Sequence, residues 1–316
     1  MELLDHVLRR MGRHATALLP FSLLVGVVFQ DLAAAARPLV GPLATILMML
    51  ALVRTDWPRV RALLRRPGLA IVLSAALLIA VPLAVWPIWQ ALPVWPGLAA
   101  ALCLSAMAPA ITSAPTMAAF LRLDVSLALL VALITNFAVP LTLPPLALGL
   151  LGLDLQIGAG ALSLRLAAIV LIALAGAIAI RRWLGAEGLR HNSERIDGCA
   201  VAVLIVFAIP LMDGIVARAN AEPLKLAGFI VGSFAGMALT NAVMTLGALP
   251  FLDRHTALTA GYCSNGRNNA LLMAVLPATA DPDIFLFIAA VQVPIYVMPT
   301  LLQPIYRRLL PAAPGG

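Results

Sequence analysis

From residue 14 to residue 309 the chain is a succession of long apolar runs, each closed off by glycine, proline or charge. Runs of roughly twenty residues match the ~30 Å hydrocarbon core of a bilayer, since a helix rises ~1.5 Å per residue and satisfies its own backbone hydrogen bonds. A transmembrane β-barrel is excluded by the same feature, because its strands would alternate in polarity over about ten residues. Ten spans are expected, at 14–30, 37–53, 68–88, 96–121, 124–151, 162–180, 196–217, 222–247, 255–277 and 282–309. Hydrophobic residues make up 62% of the chain and charged residues 11%, far from the balance of a soluble domain. The sequence is that of an all-α integral membrane protein.

The net charge of +7 would suit a nucleic-acid partner if the basic residues were clustered. They are instead dispersed over the connections. Of the 21 Lys and Arg residues, sixteen fall in alternate connections that include both chain ends, four (Arg37, Arg165, Arg218 and Lys225) fall in the others, and Arg267 belongs to neither set. Under the positive-inside rule this alternation places both termini in the cytoplasm and supports an even span count. No nucleic-acid partner is expected. Trp86, Trp89 and Trp95 surround the third loop, at the level where amphipathic rings prefer to lie. The cysteines Cys103, Cys199 and Cys263 have no paired spacing, so neither a disulfide framework nor a metal site is indicated. Residues 1–14 are charged, and no cleavable signal peptide is expected.

Two spans carry residues that hydrocarbon does not tolerate. The ninth contains Ser264-Asn-Gly-Arg-Asn-Asn269, with Arg267 twelve residues from His255, about 18 Å along a helix. An arginine at a helix centre costs at least ~2.5 kcal/mol, so Arg267, Asn265, Asn268 and Asn269 are expected to face a wet or protein-lined cavity and to bind something there. The fourth span contains Ala108-Pro-Ala-Ile-Thr-Ser-Ala-Pro-Thr116, with Thr112, Ser113 and Thr116 between and beside two prolines. Both compositions interrupt a helix at the same ordinal position of a five-span half, the pattern of inverted-repeat transporters. Simpler readings stand beside these: Pro109 and Pro115 as kinks, the hydroxyls as local backbone acceptors and donors, Cys263 as a small buried residue, and Arg267 as the partner of a carboxylate such as Asp213.

The order and spacing of three segments within this ten-helix plan resemble the bile acid:sodium symporter family in its bacterial branch. They are the basic loop Asp56-Trp-Pro-Arg-Val-Arg-Ala-Leu-Leu-Arg-Arg-Pro67, the small-residue stretch from Pro109 to Asp124, and Gly266-Arg-Asn-Asn-Ala-Leu271. The resemblance implies a panel domain (1–67 and 152–221, helices 1, 2, 6 and 7) and a core domain (68–151 and 222–316, helices 3–5 and 8–10), with helices 4 and 9 unwound and crossing. It also implies a bacterial inner-membrane location, substrate held between core and panel, and alternating access.

At the family's sodium positions this chain departs from the pattern. Carried over without gaps, they fall on Ala114, Pro115, Ala128, Ala132, Cys263, Arg267 and Leu77, none of which offers a side-chain oxygen to a hard cation. A guanidinium ~4 Å from a sodium ion would repel it by about 4 kcal/mol at an effective dielectric of 20. The expected protein is therefore a carrier of a small organic anion whose sodium sites are altered or lost, with Arg267 in place of the missing cation and no cofactor. Alternatives are sodium symport through a shifted site built from Thr112, Ser113, Thr116, Asn265 or backbone carbonyls, and a non-transporting receptor on a carrier scaffold. An enzyme is not expected, since the sequence offers no catalytic triad, mid-membrane carboxylate pair, metal cluster or phosphate loop, and His6, His14, His191 and His255 fall in or beside loops.

Overall fold

The computed structural model describes residues 15–65, 67–152, 158–277 and 279–310. Arg9, Arg10, Arg13, Arg66, His6 and His14, all used in the charge and motif readings, lie outside them. The helices, in chain order, are α1 (Ala15–Val28), α2 (Gln30–Ala36), α3 (Val40–Arg54), α4 (Trp57–Leu63), α5 (Gly68–Ala75), α6 (Val81–Ala91), α7 (Pro96–Met107), α8 (Ala114–Phe120), α9 (Val125–Leu151), α10 (Ala159–His191), α11 (Ser193–Ala208), α12 (Ile215–Ala221), α13 (Pro223–Ala248), α14 (Arg254–Asn265), α15 (Asn269–Val275), α16 (Pro282–Ala290) and α17 (Gln292–Leu309). No β-strand occurs among the described residues. Seven stretches among them are long and apolar enough to cross a membrane: Gln30–Arg54, Gly68–Ala91, Val125–Leu151, Ala159–His191, Ser193–Ala221, Pro223–Ala248 and Pro282–Leu309. The chain is an all-α, multi-pass membrane protein.

The segments expected as the fourth and ninth spans are not continuous helices. Each is a helix of 12 residues followed by one of 7, α7 then α8 and α14 then α15. Proline explains the first interruption: it disfavours helical geometry in the residue before it, and Ala108 is extended, with ψ 153°, ahead of Pro109. Pro115 then opens α8 in its first turn, where a missing N–H is harmless. The second interruption has no proline. It begins at Gly266, which is extended, and ends where the side chain of Asn268 accepts from the Leu271 N–H and caps α15.

Two other elements differ from the expected spans. The 37–53 window begins earlier, because α2, a 3₁₀ turn at Arg37–Leu39 and α3 run on without a break. The 196–217 window is interrupted after α11 by a 3₁₀ turn at Pro210–Met212 and by Gly214, whose φ of 75° glycine reaches without strain.

The chain divides into two compact units. The first takes the described residues up to Asp56, Arg165–Pro223 and the short stretch Met273–Val275. Its helices α1 and α3 pack on α11. Gln30 donates to the carbonyls of Gly26, Val27 and Met212, closing the end of α1, and Asp213 pairs with Arg37 at 3.2 Å. That pair settles the partner of Asp213, which is not Arg267. Arg181 donates to the carbonyls of Val53 and Thr55, capping the C-terminal end of α3.

The second unit comprises Trp57–Leu164, Leu224–Leu272 and the described residues from Leu276 onward. Within it α7 packs against α6 and α16, and α9 against α5 and α8. Lys225 and Asp283 form an ion pair at 2.8 Å that ties the start of α13 to the start of α16. Between α5 and α6 the helix widens into a single π turn, Ala76–Ala80. A π turn inside an α-helix shifts the hydrogen-bond register by one residue and frees a carbonyl, a feature frequent at functional sites.

Candidate functional site

The two interruptions meet within the second unit. Ala110 and Arg267 form an isolated antiparallel β-bridge. Its two bonds run from the Ile111 N–H to the Gly266 carbonyl and from the Asn268 N–H to the Pro109 carbonyl, each 2.9 Å. Ala110 and Arg267 are thus the pair that does not bond to each other, so their own N–H and C=O groups point outward and need other partners. For Ala110, which is fully buried, helix α9 supplies both. The Ala110 N–H donates to Thr135 Oγ1 at 3.2 Å, and Asn136 Nδ2 donates to the Ala110 carbonyl at 2.9 Å. Asn136 also accepts from Asn268 Nδ2 at 3.4 Å, joining α9 to the second interruption.

Thr135 and Asn136 escape a reading based on the interruptions alone. Their signal is nonetheless present, since Asn136 is a lone amide in the 27-residue apolar helix α9. Asn136→Leu is close in volume and removes the donor. It should cost about 1–3 kcal/mol through the orphaned Ala110 carbonyl, read as a lowered thermal midpoint in detergent.

Arg267 is 3% exposed and its side chain is enclosed by oxygen. Nε donates to the Ser264 carbonyl at 2.8 Å, Nη1 to the carbonyls of Ala108 at 2.9 Å and Leu77 at 3.3 Å, and Nη2 to Leu77 at 3.3 Å and to Ser264 Oγ at 3.0 Å. A guanidinium has five N–H groups, and five bonds are made. Each of the three carbonyls is a group the helices would otherwise leave unpaired. Ala108 and Ser264 lie at the C-terminal ends of α7 and α14, where the last carbonyls have no helical partner and the helix dipole favours a cation. Leu77 is orphaned by the π turn: the Val81 N–H reaches back to Ala76, and the next residue in line, Pro82, has no N–H to give. One charged side chain therefore satisfies two helix ends and a widened turn. No carboxylate among the described residues pairs with it.

A small cavity of about 20 Å³ adjoins the guanidinium, large enough for about one water-sized group. Asn265 and Asn269 line it together with Ser105, Ser233 and Thr240. Asn265 is 1% exposed and Asn269 2%, and the Oδ1 atom of each has no hydrogen-bond partner. Buried amide oxygens left without donors are costly, so this wall is suited to a bound group that donates hydrogen bonds or carries positive charge.

The expected site residues thus separate. Arg267, Asn265 and Asn269 share this cavity. Asn268 is half-buried and occupied by its α15 cap and by Asn136. Thr112, Ser113 and Thr116 are exposed and do not line the cavity. Of the positions carried over for sodium, Ala114, Ala128, Ala132, Cys263 and Leu77 are buried and Pro115 is half-buried. Leu77 contributes oxygen through its backbone rather than its side chain, and it gives that oxygen to Arg267. Compared with models of known protein families and with curated proteins, the chain matches none.

Proposed function

We propose that the protein is a secondary transporter of a small organic anion, in which the guanidinium of Arg267 does permanently what a bound cation does in sodium-coupled carriers. The observation that carries this reading is the set of five hydrogen bonds from Arg267 to three backbone carbonyls and one hydroxyl, at the crossing of two interrupted helices. Carbonyl and hydroxyl oxygens at a helix crossing are the ligands of a hard cation. Here a tethered cation takes them.

The wider plan belongs to the same proposal. Ten spans form two inverted five-helix repeats, as in the bile acid:sodium symporter family, both termini are cytoplasmic in a bacterial inner membrane, and transport proceeds by alternating access. Support comes from the matched 12-plus-7 division of the two interrupted segments. An anionic solute fits the unpaired charge: at ~5 Å and an effective dielectric of 20, a carboxylate would be attracted by about 3 kcal/mol, without a hydrogen bond from a guanidinium whose donors are already engaged. Thr112, Ser113 and Thr116, exposed beside the first interruption, are the polar side chains left to meet it.

A second reading is favoured by one observation. The unpartnered oxygens of Asn265 and Asn269, beside the Ser105 and Thr240 hydroxyls, form an oxygen-rich wall on which a shifted sodium ion could sit. Uptake of labelled organic acids into proteoliposomes, with sodium replaced by potassium, separates the two. The expected result is saturable uptake at equal rates in both salts; strict, saturable sodium dependence would establish the shifted site instead.

A further inference from the structure

Helix α4 and the turn that extends it carry two faces. Trp57, Val60 and Leu64 recur at helical spacing along one side, and the Leu64 N–H still bonds to the Val60 carbonyl at 2.8 Å beyond the end of the helix. Arg61 and Arg65, four residues apart, are exposed on the adjoining side. The apolar face does not close onto its neighbour α9. Between them lies an open groove of about 380 Å³, whose far wall is formed by Ile134, Phe137 and Ala138, at the i, i+3, i+4 spacing of one helix face. Every lining side chain is a hydrocarbon apart from that of Trp57, whose indole carries one N–H. Arg59 fastens α4 to the start of α9 through Ser126 Oγ, so the groove has a fixed wall on both sides.

We propose that this groove binds one anionic phospholipid, with an acyl chain lying between α4 and α9 and the phosphate held by Arg61 and Arg65. A polar solute would find no hydrogen-bonding side-chain group along these walls other than the indole N–H of Trp57 at one end. A hydrocarbon chain needs none. The cations stand beside the groove and not within it, which is the separation of charge and tail in a phospholipid. Trp57, half-exposed at the start of α4, is a residue type that prefers headgroup level, and basic residues at such places recognise anionic lipids. This assignment is independent of what the Arg267 crossing binds.

Native mass spectrometry of the detergent-solubilised protein tests it, with phosphatidylglycerol and phosphatidylcholine of identical acyl chains as probes. The wild type should retain a single phosphatidylglycerol, preferred over phosphatidylcholine by about 30-fold at about 1 kcal/mol for each of the two arginines. The Arg61→Gln/Arg65→Gln variant should lose that preference, and Ala138→Trp, which fills the groove, should lose both lipids. Added inorganic phosphate should displace neither. Equal retention of the two lipids by the wild type, undiminished preference in the double variant, or a lipid-free dimer in which a second copy covers the face would each overturn the proposal. The double variant changes only exposed residues, so it decides the matter even if Ala138→Trp fails to fold.

Discussion

Arg267→Ala should be the most damaging single substitution in the second unit, destabilising the protein by several kcal/mol and abolishing solute uptake. The magnitude follows from the acceptors. Removal of the guanidinium strands the carbonyls of Leu77, Ala108 and Ser264, and a buried backbone group without a partner costs about 1–3 kcal/mol. The carbonyls of Leu77 and Ser264 cannot return to a helix: Pro82 has no N–H for Leu77, and the Asn268 N–H already serves Pro109. The lost charge also removes the favourable term at two helix C-termini. Arg267→Lys is the informative companion. Lysine keeps the charge but offers three donors on a single atom in place of a planar fork, so it should recover only part of the stability and little of the transport. Thermal unfolding in detergent and proteoliposome uptake measure the two effects separately.

The second large effect is expected at Gly261, on the face of α14 that approaches α13. A Cβ built there collides with Thr245 Oγ1 and lies 3.0 Å from the Asn241 carbonyl oxygen. Backbone on the α13 side cannot yield by a side-chain rotation. In a bilayer, helices associate through close backbone approach at small residues, and a branched side chain removes that approach. Gly261→Val should therefore cost at least about 1–3 kcal/mol by overpacking, and by pushing α14 off α13 it should disturb the 2.8 Å bond that the Asn241 amide on α13 donates to the Tyr306 hydroxyl on α17. The check is a lowered thermal midpoint together with faster hydrogen exchange in α13 and α14. A midpoint equal to wild type would show that the two helices do not depend on this contact.

The membrane class and most of the helices were legible because they depend on apolar length, which a sequence displays directly. The interruptions at Pro109 and Gly266 were also legible, since proline, glycine and amides in the middle of an apolar run have few structural uses. What Arg267 touches was not. Its partners are mainly backbone carbonyls, and every residue carries one, so no residue type announces them. Only Pro82 gave a local clue: a proline inside an apolar helix orphans a carbonyl upstream, and here the π turn moves that vacancy to Leu77. Asn136 carried a signal of the same kind as Arg267, an isolated polar group in an apolar helix, and its distance from the interruptions in sequence concealed that it braces them. Thr112, Ser113 and Thr116 seemed to belong with the asparagines because all are polar and lie near helix breaks. The intervening backbone is extended at Ala108 and re-enters a helix only at Ala114, which leaves Thr112 and Ser113 exposed in the break and Thr116 on the exposed side of α8, while Asn265 and Asn269 turn into the cavity.

The claim that Arg267 is a tethered substitute for a coupling cation is tested most directly by titrating sodium chloride against choline chloride at constant ionic strength and following the thermal midpoint of the wild type and of Arg267→Gln. The wild type should show no sodium-specific stabilisation, because the oxygens around the guanidinium are already taken and its charge repels a sodium ion from the neighbouring Asn265 and Asn269 oxygens. The glutamine variant should start lower and rise saturably with sodium, since a ligand stabilises the state it binds and the vacated carbonyls, the Ser264 hydroxyl and the new amide oxygen form a neutral oxygen cage. A saturable, sodium-specific rise in the wild type would contradict the account.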